Sequence, residues 1–222
     1  MPALKRMYLN DQLGCCVIAG MAHLDGVFTG NNGDDPAVIY SDHRIEELYS
    51  AIGGYVPGDS STDHGCNEIA ALNYWRDKGL MPDQSDHHQI EDWGAIDASK
   101  PRELELAIDL MEGIMFGIEL PDAWLENVTP GMTLDVAGEP DPDNGHCVVA
   151  VDYLPDGRLV LSTWGMEVYM TQAAAAAYAT TRGQGEAYAV LSNNVVERKT
   201  QKAPTGFDFA QLRSDLQAIR RA

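Results

Sequence analysis

Hydrophobic positions recur at helical spacing in the first half of the chain and at strand spacing in the second. Apolar residues at 17, 18, 21 and 24 predict a helix over 15–27. Ile45, Leu48, Tyr49 and Ile52 share a face of a helix over 42–52, with Asp42 as its cap. A third helix is predicted over 66–78, with Ile69, Leu72, Asn73 and Trp75 inward and Gly79 past its end. A short one follows over 102–111. Residues 1–9 read as extended, whereas 29–36, 53–63 and 81–101 are turn-rich and polar. Buried strands are expected at 114–120, 147–153, 159–164, 168–170 and 187–191. Pro121 stops the first of these, and Pro155-Asp156-Gly157 turns the second into the third. Thr171 caps a short helix through the alanine run 173–177, and Phe209, Leu212, Leu216 and Ile219 line one face of a last helix. Helices first and antiparallel strands second make an α+β protein. With no linker, residues 1–222 read as one domain: a helical lobe over about 10–112, a β lobe over about 113–200 and a C-terminal helix over about 208–221.

Charge narrows the function. The 222 residues carry a net charge of −19, which repels nucleic acid. The 45% hydrophobic content is that of an ordinary globular core. No apolar run reaches the about 20 residues of a membrane span, and residues 1–7 lack the apolar stretch of a signal peptide. A cytoplasmic setting is expected, the sequon at Asn127 then having no role. The four cysteines include the adjacent pair Cys15 and Cys16, which suits a reducing compartment better than a disulfide framework. His87-His88 lacks a carboxylate or cysteine at metal-ligand spacing and reads as solvent-exposed loop. No metal or cofactor is expected.

The candidate chemistry sits in Asn10-Asp11-Gln12-Leu13-Gly14-Cys15-Cys16, where a glycine turn delivers a thiol to the start of a helix. Unpaired N–H groups and the positive end of the dipole favour a thiolate there, and can draw a cysteine pKa from about 8.5 into the range of about 3.5–7.5. His146 opens an apolar strand 130 residues later and is the leading partner. His23, two helical turns away from Cys16, and His64, in a turn, read as surface or cleft residues. A lone buried cysteine is ordinarily a small hydrophobe. Cys15 is a neighbouring thiol that packs or lines the cleft, and Cys147 points to the face opposite His146. Trp75, Trp93 and Trp124 read as core or loop anchors.

Four pieces fall in a particular order: Gly14-x-Cys16, Gly65-Cys66-Asn67, Gly145-His146 and Ser162-Thr163-Trp164-Gly165. This order resembles the papain-like cysteine peptidases over roughly residues 8–170, least in 80–140. The separation of cysteine and histidine matches that group's usual 130–150 residues or so. The resemblance implies a papain-like fold and a thiol hydrolase cleaving peptide or isopeptide bonds through an acyl-enzyme. Cys16 matches the nucleophile and His146 the general base. Asn10, one methylene shorter than the family glutamine, matches the oxyanion donor. Trp164 matches the tryptophan shielding the histidine's partner. Ser162 stands where the family has the asparagine that orients the imidazole, with Asp152 and Asp143 as further candidate acceptors. Cys66 matches a family half-cystine whose partner position holds Leu13, so that disulfide is absent.

Thr62-Asp63-His64-Gly65-Cys66, Asn73-Tyr74-Trp75-Arg76 and Pro204-x-Gly206-Phe207-Asp208 also look like short papain-like proteins of bacteria and their phages. Two functions follow from these resemblances. One is an active peptidase on a peptide or protein substrate. The other is a degenerate papain fold serving as a binding or structural component with a protein assembly partner, for example in a bacteriophage virion.

Overall fold

The computed structural model describes residues 1–31, 37–81, 88–125, 128–193 and 211. Its order is α1 (Cys16–Asn31), α2 (Asp42–Gly53), α3 (Glu68–Lys78), β1 (Ile90–Ala95), α4 (Pro101–Met111), β2 (Ile114–Glu119), β3 (Thr133–Leu134), β4 (Gly145–Tyr153), β5 (Leu159–Thr163), β6 (Met166–Met170), α5 (Gln172–Tyr178) and β7 (Glu186–Ser192). The strands form one sheet in the order β1-β7-β2-β4-β5-β6-β3, antiparallel except between β3 and β6. This is the α+β architecture expected. The predicted C-terminal helix over 208–221 lies outside the described residues apart from 211, as does His87.

Period-two alternation divides the core between the two sheet faces. Met115, Cys147, Val149, Tyr188 and Val190 join the helices α1–α3 on one face. Phe116, Val148, Ala150, Ala187 and Ala189 join α4 and α5 on the other. Gly20 lets α1 approach β4, since a Cβ there would stand 3.0 Å from the Cys147 sulfur.

Several expectations are corrected. Residues 3–5 form a single 3₁₀ turn within the segment expected to be extended. Ser41, not Asp42, caps α2: its hydroxyl accepts from Arg44 N–H. Ile69 is 40% exposed, and Glu68, Ala71, Leu72 and Trp75 fill the inner side of α3 instead. The polar stretch 81–101 contains β1, an edge strand whose register shifts between Ile90 and Asp92. His88 is buried rather than exposed; its Nδ1–H donates to Asp25, which also accepts from Tyr40. No helix among the described residues is long and apolar enough to cross a membrane.

Candidate functional site

Cys16 is the first residue of α1, and the loop before it is fixed from two sides. Asp63 Oδ1 accepts from Gly14 N–H at 2.9 Å and from the Tyr49 hydroxyl. That hydroxyl in turn accepts from Gly65 N–H. The network ties the turn before Cys16 to the turn before α3. A Cβ at Gly14 would meet Asp63 Oδ1 at 2.9 Å, so glycine is what lets the turns meet. Cys15 faces away; it is fully buried and its thiol donates to Tyr8 O.

A cleft of about 530 Å³ opens in front of Cys16, lined among others by His64, Cys66, Glu68, Gly117, His146, Cys147 and Glu186. Backbone N–H groups of Cys147, Val17 and Cys16 itself reach the Cys16 sulfur. The sulfur thus lies at the start of β4, beside the residue that follows His146.

His146 is only 9% exposed. Its Nε2 hydrogen-bonds Oγ1 of Thr163 at 2.8 Å, and its ring stacks on Trp164 at 4.4 Å and 12°. The hydroxyl on the ring therefore belongs to Thr163, one residue beyond the expected Ser162. Ser162 pairs with Val149 across the strands, and its hydroxyl donates to Leu4 O at 2.9 Å. Neighbouring strand residues face opposite sides, so one position decides which hydroxyl meets the ring. Asp152 accepts from Tyr153 N–H, and Asp143 lines the cleft. Trp164 and Gly165 form the two-residue turn between β5 and β6, both with positive φ, 47° and 68°.

Asn10 is half-buried, its N–H bonded to Met7 O, and the cleft lining does not include it. His23 is buried, and its Nδ1–H donates to Ala3 O at 2.9 Å. All four cysteines are free.

Electrostatics reverse the expected thiol activation. Burial raises the Cys16 pKa above its ordinary value, and the Glu68 carboxylate adds to the rise. The backbone N–H groups offset only part of this. Burial lowers His146 to about 4. Desolvation disfavours the charged form of each group, the Cys16 thiolate and the His146 imidazolium.

Glu68 was not singled out by the sequence. An acid in the first turn of a helix reads as a solvated partner of the dipole. Here it turns inward, 4% exposed, with its pKa raised to about 8 by burial and then by Glu186.

No family model and no curated protein matches the sequence. Solved structures do. Xylellain, a cysteine protease from Xylella fastidiosa, is similar at a TM-score of 0.60 and 14% identity, over 81% of this chain and 80% of that one. Digestive procathepsin L 3 of Tenebrio molitor gives 0.57 and 14%, over 81% and 64%. A cysteine protease of Carica candamarcensis gives 0.54 and 14%, over 82% and 90%. The chain has the papain-like fold of these cysteine proteases.

Proposed function

We propose that this chain is a papain-like cysteine peptidase with Cys16 as nucleophile and His146 as general base. The observation carrying this reading is the shared cleft: Cys16 at the start of α1, beside the β4 residue whose neighbour is held by Thr163 and covered by Trp164. In the tautomer with Nε2–H donated to Thr163, Nδ1 keeps the free lone pair.

With a neutral pair at rest, the thiol proton moves to Nδ1 as the sulfur attacks the peptide carbonyl. The imidazolium then protonates the leaving amine, and an acyl-enzyme remains on Cys16. Water, deprotonated by His146, adds to the thioester and releases the acid and the free thiol. The Cys16 N–H at the helix start is one donor for the oxyanion. The chain's substrate on this reading is a peptide or protein, with isopeptide bonds included because the chemistry is the same.

The position of Asn10 favours a second reading, a papain fold used for binding without turnover, such as a virion component. One experiment separates them. A peptidyl electrophile should label the wild type at Cys16 and leave Cys16→Ala unlabelled. Equal labelling of both, or labelling no faster than a free thiol, rejects the peptidase.

A further inference from the structure

The cleft is lined by five carboxylates, Asp63, Glu68, Glu119, Asp143 and Glu186, and by no lysine or arginine among the described residues. One of them stands out. Glu68 is 4% exposed, and its Oε2 has no hydrogen-bond partner. The Cys147 thiol donates to the same carboxylate, and Glu186 lies close enough to repel it. Unbound, Glu68 relieves this by keeping its proton at neutral pH; once ionised, its unpaired oxygen beside a second acid is stabilised by a bound cation.

The space for that cation is built in. Gly117 lies between the two acids, and a Cβ there would meet Glu68 Oε1 at 2.9 Å and Glu186 Cγ at 2.9 Å. Any larger residue would fill the gap. The Tyr188 hydroxyl donates to Glu186 and anchors its other side. No group of three or more metal-ligand side chains among the described residues is placed to hold an ion. The arrangement suits an organic cation that brings its own donors.

We propose that Glu68 and Glu186 form a subsite for a cationic side chain, so that the substrate carries an arginine or lysine at or next to the scissile bond. This rests on the peptidase reading of the same cleft. Glu68, Gly117 and Glu186 line the same cleft as Cys16, so a cation bound there shares the cleft with the thiol. A guanidinium offers paired N–H donors to both carboxylates, which a neutral isostere cannot do.

The test uses two peptidyl vinyl sulfones, identical except for arginine or norleucine, and reads the rate of Cys16 labelling on the full chain. Arginine should react at least about tenfold faster, a difference of about 1.4 kcal/mol. Glu68→Gln should bring the ratio to within about threefold of one by slowing the arginine probe, with near-ultraviolet circular dichroism confirming its fold. Glu186→Gln serves if Glu68→Gln does not fold. Equal rates in the wild type overturn the subsite and leave the peptidase reading standing. If neither probe labels Cys16, the peptidase reading fails. The subsite is then decided by NMR titration of Cys16→Ala with acetyl-arginine-amide. Shifts at Gly117 and Glu186 that Glu68→Gln abolishes uphold it, and no shifts, or the same shifts with calcium, overturn it.

Discussion

Thr163 and His146 are joined by a 2.8 Å hydrogen bond on one face of the β4–β5 pair, while Ser162 is spent on the backbone of Leu4. That geometry gives the two hydroxyls different partners. Thr163→Val keeps the shape and removes the hydrogen bond. It should slow peptide turnover about 10–100-fold, part of the ~10²–10⁴ that acid–base catalysis supplies. Thr163→Ser should retain turnover within about threefold. Ser162→Ala leaves the Leu4 carbonyl without its donor and should cost about 1 kcal/mol in urea unfolding. A turnover loss in Ser162→Ala larger than in Thr163→Val would reverse the assignment.

The neutral resting pair predicts two different pH profiles. Alkylation by iodoacetamide needs free thiolate, so the Cys16 rate should be low at pH 7 and still rising above pH 9. Peptide turnover needs neutral His146 and an intact thiol. Its acid limb should fall near pH 4, followed by a plateau through neutrality. A preformed ion pair would instead give rapid alkylation from about pH 5, and that result would overturn the neutral pair.

Most of the fold is legible in the sequence because burial follows simple periods there. β4 is continuously apolar from Cys147 to Val151, and the α5 start is marked by Thr171, whose hydroxyl accepts from Ala174 N–H. β1 is hidden because Glu91, Asp92 and Gly94 break its alternation, and pairing with β7 supplies what propensity does not. The positions of Cys16 and His146 in one cleft follow from motif order. Thr163 does not, since counting along a motif ignores which face of the strand each residue takes. Glu68 is illegible for a related reason: only the fold, which sets the first turn of α3 against Gly117 of β2, turns it inward.

Buried titratable groups should give stability a maximum near pH 6.5. His23 and His146 are each lowered to about 4, below the ordinary value of 6.5. Their contribution is present above pH 6.5 and lost as pH falls through 4, because the unfolded chain binds those protons first. Glu68 acts in the other sense. Its folded pKa of about 8 exceeds the ordinary 4.5, so its contribution is present below 4.5 and declines as pH rises through 8. Cys16 from α1, Cys147 from β4 and Glu186 and Tyr188 from β7 are the titratable groups packed near it. Between 4.5 and 6.5 the two histidines outweigh the one acid. Urea midpoints should therefore fall from pH 6.5 to 5 and again from 6.5 to 8. Glu68→Gln should flatten the upper decline alone; an unchanged upper decline would assign it to other groups.

Trp164 combines cover for the His146 ring with a left-handed backbone, and two substitutions separate them. Its φ of 47° is left-handed, a region that costs a residue with a Cβ about 1–2 kcal/mol. Its indole covers the His146 ring. Trp164→Ala and Trp164→Gly both uncover the ring and should move the His146 pKa from about 4 up toward 6.5, since hydration restores the charged form. Histidine NMR titration reads this directly, and the acid limb of turnover should rise with it. The two variants should differ in stability: glycine accepts the positive φ, so Trp164→Gly should be more stable than Trp164→Ala by about 1 kcal/mol. An acid limb still near pH 4 in both variants would assign the low His146 pKa to the rest of the cleft wall.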